Sequence, residues 1–193
     1  MAVEAVVFDV GETLVDETRM WEAAADAAGV PRFTLMGVVG GLAARGEQHG
    51  RVWEILGVEP SLPSGFDADD FYPDALRCLA QLRELGYRVG AAGNMPAAVE
   101  DLLRPHVDGV GSSARWAVEK PSPGFFARVV ELAGTAPEKI AYVGDRVDND
   151  IGPALDARLV AVHVRRGPWA YLHDPPAGAI SVRSLDELPD ALP

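Results

Sequence analysis

Apolar and polar positions along the chain follow two alternating rhythms. Residues 3–10 and 140–143 are short apolar runs rich in β-branched side chains, and each gives way to an aspartate with a glycine close by: Asp9 with Gly11, and Asp145 with Gly144. Runs of this length and composition read as buried strands of a parallel sheet. Residues 87–92, 107–111 and 159–164 are further strand candidates. Between them the pattern turns helical. Residues 74–85 carry Leu76, Leu79, Leu82 and Leu85 and stop at Gly86, a natural residue for ending a helix. Residues 96–103, 123–133 and 148–157 continue the series, and Ser184 with Glu187 has the capping-box spacing that opens a last short helix. Strands alternating with such helices predict βαβ units, hence an α/β fold: a Rossmann-like parallel sheet with helices on both faces.

Residues 16–70 break the alternation. Two helical stretches, 17–28 and 33–48, occur there without a strand pattern, and residues 59–70 are rich in Pro, Ser, Gly and Asp, as a linker is. The expected organisation is a discontinuous core, residues 1–15 and 71–193, with a small all-helical unit at 16–70 inserted after the first strand.

Composition narrows the functional classes. A length of 193 residues, 48% of them hydrophobic and 24% charged, suits one core domain with an insertion and excludes global disorder. A formal charge of −12 argues against gripping nucleic acid or an anionic membrane. No apolar run is long enough to span a bilayer, and no basic stretch precedes the first strand as a secretion signal would require. Cys78 is the single cysteine, which excludes an intrachain disulfide and makes the cytoplasm the expected compartment.

The aspartates carry the candidate chemistry. Asp9 ends a strand where open α/β sheets bind ligands, although a strand-ending aspartate also serves as a turn cap. Asp145, Asp148 and Asp150 follow the second apolar run at a helix start. Asp148 reads as a residue complementing the helix dipole. Asp145 and Asp150, brought beside Asp9, make a hard oxygen site suited to Mg²⁺; without a cation they repel and raise at least one pKa. Lys120 precedes Pro121-Ser122-Pro123, which holds it in an extended loop, where a fixed ammonium can neutralise a phosphate and an attacking carboxylate together.

In this order, FDVGETL at 8–14, AAGN at 91–94, EKPSP at 119–123 and VGDRVDND at 143–150 resemble the motifs of the haloacid dehalogenase (HAD) superfamily, over nearly the whole chain. The resemblance implies that the insertion is that superfamily's small helical cap. It implies Asp9 as the nucleophile forming an aspartyl intermediate. It also implies Asp145 as a Mg²⁺ ligand with Asp150 supporting it, and the Gly11 backbone carbonyl as a further ligand. Lys120 matches the lysine stabilising nucleophile and transferring group, and Thr13, Gly93, Asn94 and Lys120 fall at substrate-binding positions. Two positions depart from the pattern. Gly11 stands where family phosphatases carry a second aspartate, the general acid/base, whose help is typically worth about 10²- to 10⁴-fold. Gly93 stands where a Ser or Thr is usual. Glu12, beside the missing acid, is a candidate replacement, weighed against a solvent or hinge role.

A leaving group that departs unaided, such as a halide or an activated phosphate, needs no acid, so Gly11 leans toward such substrates. Asp145 leans the other way, because the dehalogenase branch lacks that carboxylate, uses no metal, and holds the halide with a cap arginine, for which Arg19, Arg32 and Arg45 are candidates. The leading expectation is a Mg²⁺-dependent phosphatase acting on a small phosphorylated metabolite. A metal-independent 2-haloacid dehalogenase and a non-catalytic ligand- or partner-binding protein are the alternatives. His49, His106, His163 and His173 lack ligand spacing and read as ordinary histidines, and Cys78 as a packing residue. Trp21, Phe33, Trp53 and Phe66 read as cap–core packing. The loop at 165–169 suits either an anion at the mouth of the site or an arginine stacked on Trp169.

Overall fold

The computed structural model describes residues 2–61 and 65–193. Six strands, β1 (Ala5–Phe8), β2 (Arg88–Gly93), β3 (Gly109–Ser112), β4 (Ile140–Gly144), β5 (Val160–Val164) and β6 (Ile180–Val182), form one parallel sheet in the order β3-β2-β1-β4-β5-β6. After β1 come α1 (Thr18–Ala27), α2 (Arg32–Ala44) and α3 (Val52–Leu56). The rest alternate with the strands: α4 (Ala75–Glu84), α5 (Val99–Leu103), α6 (Ser113–Trp116), α7 (Pro123–Ala133), α8 (Gly152–Asp156), α9 (Gly167–Leu172) and α10 (Leu188–Ala191).

The period-2 geometry of β1 divides the core. Val6 and Phe8 point to one face, packing with Leu79, Leu82, Leu103 and Leu188, whereas Ala5 and Val7 point to the other, with Phe125, Phe126, Val129 and Ala154. Each fully buried Leu or Phe contributes about 1.5–3 kcal/mol of hydrophobic free energy, so a central strand buried on both faces anchors the site that follows it. Helices α1–α3 pack around a third cluster, Trp21, Leu35, Val39, Leu42, Val52 and Trp53, which receives Trp169 from α9. The α/β core and the helical stretch after β1 thus match the predicted pattern. Among the described residues, no single helix is long and apolar enough to cross a membrane.

Several details differ from the sequence pattern. The leucines of α4 do not share one face: Leu79 and Leu82 are buried with Ala75 and Cys78, while Leu76 and Leu85 are exposed. A strict three-residue spacing drifts around a 3.6-residue helix, so its ends leave the buried stripe. Residues 148–157 do not form one helix; a π-helical turn, Val147–Ile151, precedes α8. The predicted helix 33–48 stops at Ala44, and α9 and β6 carried no pattern strong enough to predict them. Glu187 bonds the Arg183 N–H instead of closing a capping box on Ser184, whose own hydroxyl accepts from the Asp186 N–H. Phe33, expected in packing, is 90% exposed. Residues 62–64 of the predicted linker lie outside the described residues.

Arg166, at the start of α9, ties several segments together. Its guanidinium donates to Asp74 (3.1 and 2.6 Å) and to the Thr13 carbonyl (3.0 Å), and lies 4.3 Å from the Tyr72 ring. Asp74 also accepts from the Ser184 hydroxyl and the Leu185 N–H. Burial opposes charge on Asp74, but these donors outweigh it and hold the carboxyl below its ordinary range. Removing one partner of a buried pair typically costs about 3–5 kcal/mol, so Asp74→Ala is expected to lower unfolding free energy by about 3 kcal/mol at pH 7. A depressed pKa contributes stability above the unfolded value, near pH 4, and loses it as pH falls through the folded value. Urea titrations should therefore show wild type and variant converging in acid; an undiminished difference at pH 2.5 would contradict this account.

Candidate active site

Parallel pairing sets Phe8 level with Val143, so the residues after β1 and β4 emerge side by side at the carboxyl edge of the sheet. There Asp9, Asp145 and Asp150 come together, offering oxygens that all lie within 4.8 Å of one another. All three carboxylates are buried. The π-helical turn folds Asp150 back, and its Oδ2 accepts from the Arg146 N–H at 3.0 Å. Gly144 permits this approach: a Cβ there would stand 2.5 Å from the Asp150 Cβ, nearer than side chains tolerate. At Gly93, a Cβ would stand 2.8 Å from Asp9 Oδ1, so the absent side chain gives the Asp9 carboxylate its room.

Among the described residues, the Lys120 ammonium is paired with two of the three carboxylates. Lys120 Nζ lies 2.6 Å from Asp9 Oδ1 and 2.6 Å from Asp150 Oδ1. Asn94 sets its position: Asn94 Oδ1 accepts from the Lys120 N–H (2.8 Å), and Nδ2 donates to the Lys120 carbonyl (3.1 Å). Burial works against the Lys120 charge, but Asp150 and Asp9 hold its pKa well above the ordinary value. Burial pushes Asp9 up to about 6 despite Lys120. Burial and the two neighbouring carboxylates push Asp145 well above its ordinary value, and its buried Oδ2 has no hydrogen-bond partner among the described residues. His163 Nε2 lies 3.0 Å from the Asp145 carbonyl and braces that loop.

The β1 loop holds Glu12 at the junction with the inserted helices, as its hinge alternative describes. Its backbone is left-handed (φ 52°), a conformation that costs a non-glycine residue roughly 1–2 kcal/mol. Both carboxylate oxygens are engaged, Oε1 by the Glu17 N–H (2.9 Å) and Oε2 by the Tyr72 hydroxyl (2.6 Å). Thr13 is wholly buried behind the loop, its Oγ1 without a described partner. Glu17, a residue the motif pattern does not single out, reaches the space beside Gly11: a Cβ on Gly11 would overlap Glu17 Oε1 and lie 3.0 Å from its Cδ. Trp21 Nε1 donates to Glu17 Oε2 at 3.1 Å. Burial and the Glu12 carboxylate push the Glu17 carboxyl up to about 7.

A cleft of about 570 Å³ opens over these groups, lined by Asp9, Gly11, Glu12, Glu17, Asn94, Lys120, Asp145, Arg146, His49 and Trp169 among others. His49 is therefore no ordinary surface histidine. It stands edge-on between Trp21 and Trp169, with ring centroids at 5.6 and 5.9 Å. Trp21 and Phe66 line an adjoining cavity of about 250 Å³ that shares Asp9, and Trp53 is buried against Trp21. The arginine over Trp169 is Arg146 (4.7 Å), not one from the 165–169 loop, where Arg165 lies over Tyr171 and Arg166 over Tyr72. A groove of about 650 Å³ between α7 and α8 contains none of the three clustered carboxylates. Arg19, Arg32 and Arg45 are absent from the cleft lining, each half-exposed and paired with a carboxylate: Asp70, Asp26 and Glu47 respectively.

Residues 3–158 match the model of the haloacid dehalogenase-like hydrolases, and the chain belongs to that family. It is 36% identical over 125 residues to a glyceraldehyde 3-phosphate phosphatase of Methanopyrus kandleri, covering 62% of this chain and 50% of that protein. It is 32% identical over 105 residues to a phosphoserine phosphatase of Thermus thermophilus, covering 50% and 41%. The chain thus spans about half the length of the curated relatives it matches. The L-2-haloacid dehalogenase of Xanthobacter autotrophicus superposes with a TM-score of 0.66 at 21% identity, covering 97% of each chain, which establishes the shared fold.

Asp145 provides a test of the electrostatics. An acid with a raised folded pKa opposes folding above that value, and the penalty shrinks as pH falls to the unfolded value. In chelator, Asp145→Asn should raise unfolding free energy at pH 8 by about 1–3 kcal/mol, the usual cost of an unsatisfied buried polar group. The gain should shrink steadily as pH approaches 4. Denaturant curves showing the variant less stable at pH 8 would refute the assignment.

Proposed function

We propose that the protein is a Mg²⁺-dependent phosphatase that acts through an aspartyl-phosphate on a small phosphorylated substrate. The unpartnered buried Oδ2 of Asp145, next to the lysine-held carboxylates of Asp9 and Asp150, carries the reading. One ammonium against three clustered carboxylates leaves negative charge that a hard divalent ion satisfies, so the residues fit such an ion. Asp9, Asp145 and Asp150, with the Gly11 carbonyl, would hold it. When bound, it supplies positive charge for the phosphoryl oxygens and lets the carboxylates stay ionised.

The chain's own residues do the remainder. Asp9 attacks phosphorus, and the leaving oxygen departs with its electron pair. Lys120 offsets charge on the nucleophile and on the transferring group. Asn94 fixes Lys120 by clamping its main chain, and its remaining amide hydrogen is free for the substrate. Water then cleaves the aspartyl-phosphate and restores Asp9. The helices of residues 16–70, with His49 and Trp21, form the cap that closes the cleft above the core of residues 1–15 and 71–193. Relatives named for glyceraldehyde 3-phosphate and phosphoserine point to phosphate monoesters of three-carbon compounds. The dehalogenase alternative lacks support in the cleft, because the candidate halide-holding arginines are paired elsewhere.

Purified protein with Mg²⁺ should release phosphate from such monoesters and from p-nitrophenyl phosphate, and lose this with chelator. Asp9→Asn should reduce turnover at least about 10³-fold, as expected when a covalent nucleophile is lost. Halide release from haloacids in chelator, without phosphate release, would overturn the proposal. Mg²⁺ should also stabilise the fold, by about 2.7 kcal/mol at a hundredfold excess over its dissociation constant. Because Asp9 and Asp145 take up protons as pH falls, that gain in thermal melts should be larger at pH 8 than at pH 5.5, and much smaller in Asp145→Asn.

A further inference from the structure

We infer that Glu17 is the catalytic acid/base of this site, its carboxyl delivered from α1 into the space that a side chain at position 11 would fill. The inference rests on the phosphatase reading and deepens it. Its basis is steric. A Cβ on Gly11 would overlap Glu17 Oε1, so in its present rotamer the Glu17 carboxyl occupies the space a side chain at 11 would take, and such a side chain would have to turn it aside. Gly11 is therefore the residue that makes room for another carboxyl, one reaching the same place from a different element.

Two contacts hold Glu17 there, one through its main chain and one through its carboxyl. The Glu17 N–H donates to Glu12 Oε1, which pins the start of α1 to the β1 loop. Trp21 Nε1 donates to Glu17 Oε2 and fixes the rotation of the group. Oε1 accepts no hydrogen bond from the described residues, and Glu17 lines both cavities that contain Asp9. Glu12, whose oxygens accept from the Glu17 N–H and the Tyr72 hydroxyl, acts as a brace. The Gly11-Glu12 pair thus works as a unit, glycine clearing the space and glutamate securing the helix that fills it.

The proton balance is complete. As Asp9 oxygen bonds to phosphorus and the phosphorus–oxygen bond of the leaving group breaks, protonated Glu17 gives its proton to that oxygen and an alcohol departs. Glu17, now a carboxylate, takes a proton from water as the water oxygen attacks phosphorus. The Asp9–phosphorus bond breaks, and phosphate leaves with Asp9 and Glu17 restored.

The test compares leaving groups in the Mg²⁺-loaded protein. Glu17→Gln should slow glycerol phosphate turnover by about 10²- to 10⁴-fold, the range for losing acid–base help. With p-nitrophenyl phosphate, whose leaving group needs no proton, the same variant should give a burst of one equivalent of nitrophenolate and then slow turnover. Mass spectrometry should then find one phosphoryl group on the chain. Gly11→Asp alone should not exceed wild type, because the new side chain displaces the Glu17 carboxyl from its place; Gly11→Asp with Glu17→Ala should recover activity that Glu17→Ala loses. Glu17→Asp, which keeps the acid but withdraws it, is the second single variant and should fall between wild type and Glu17→Gln. Wild-type-like turnover of both substrates by Glu17→Gln, or equal losses without a burst, would overturn the inference while leaving an active phosphatase. So would finding the burst signature in His49→Asn instead. If the wild type releases no phosphate from either substrate, the phosphatase reading falls, and the inference with it.

Discussion

Lys120 holds two buried carboxylates at once, and the rest of the site depends on that arrangement. An unpaired carboxylate out of water is costly, and three within a few ångströms are costlier still. One ammonium, itself buried, makes the cluster tolerable without neutralising it. The distribution of that deficit matters. Asp150 uses both oxygens, on Lys120 and on the Arg146 N–H, and Asp9 is held by Lys120, while Asp145 keeps an oxygen with no donor among the described residues. Charge, geometry and burial therefore converge on one position where a hard cation would relieve the strain.

Backbone features elsewhere serve this geometry. Gly93 and Gly144 matter for the side chains they lack, since each lets a carboxylate approach a strand end. The Asn94 amide spends its carbonyl and one hydrogen on the Lys120 main chain, so the loop after β2 fixes the loop before α7. The parallel register of β1 and β4 then brings both strand-end aspartates to one level, as expected where ligand sites form at the carboxyl edge of an open α/β sheet.

The helices after β1 are joined to the core by more than their chain connections. Trp169 of α9 enters their apolar cluster, and the His173 ring meets the Ala43 carbonyl at 2.6 Å. The Glu17 N–H on Glu12 forms a second joint, with Tyr72, Arg166 and Asp74 bracing Glu12 from the core side. Movement of the helices would thus be felt at the β1 loop, one residue away from Gly11.

Much of the fold was legible in the sequence because buried parallel strands need continuous apolar runs and surface helices need amphipathic ones. Residues 3–10 and 140–143 announced β1 and β4, and the aspartates after them marked the carboxylates that cluster at the candidate site. β6 has only three residues and a mixed pattern, so nothing local marked it. Leu76 and Leu85 looked like core residues because periodicity alone does not reveal where a helix stripe meets its neighbour. Asp9, Asp145, Asp150 and Lys120 could be singled out by residue type and neighbours, since strand ends and proline-bounded loops are local properties. Glu17 and His49 could not. A carboxylate filling the space beside a glycine six residues earlier, and a histidine wedged between Trp21 and Trp169, exist only once the helices lie against the sheet. Local pattern determined which residues could do chemistry; the packing of α1–α3 on the core decided which of them share the cleft, because distance in space is set by tertiary contacts and not by order along the chain.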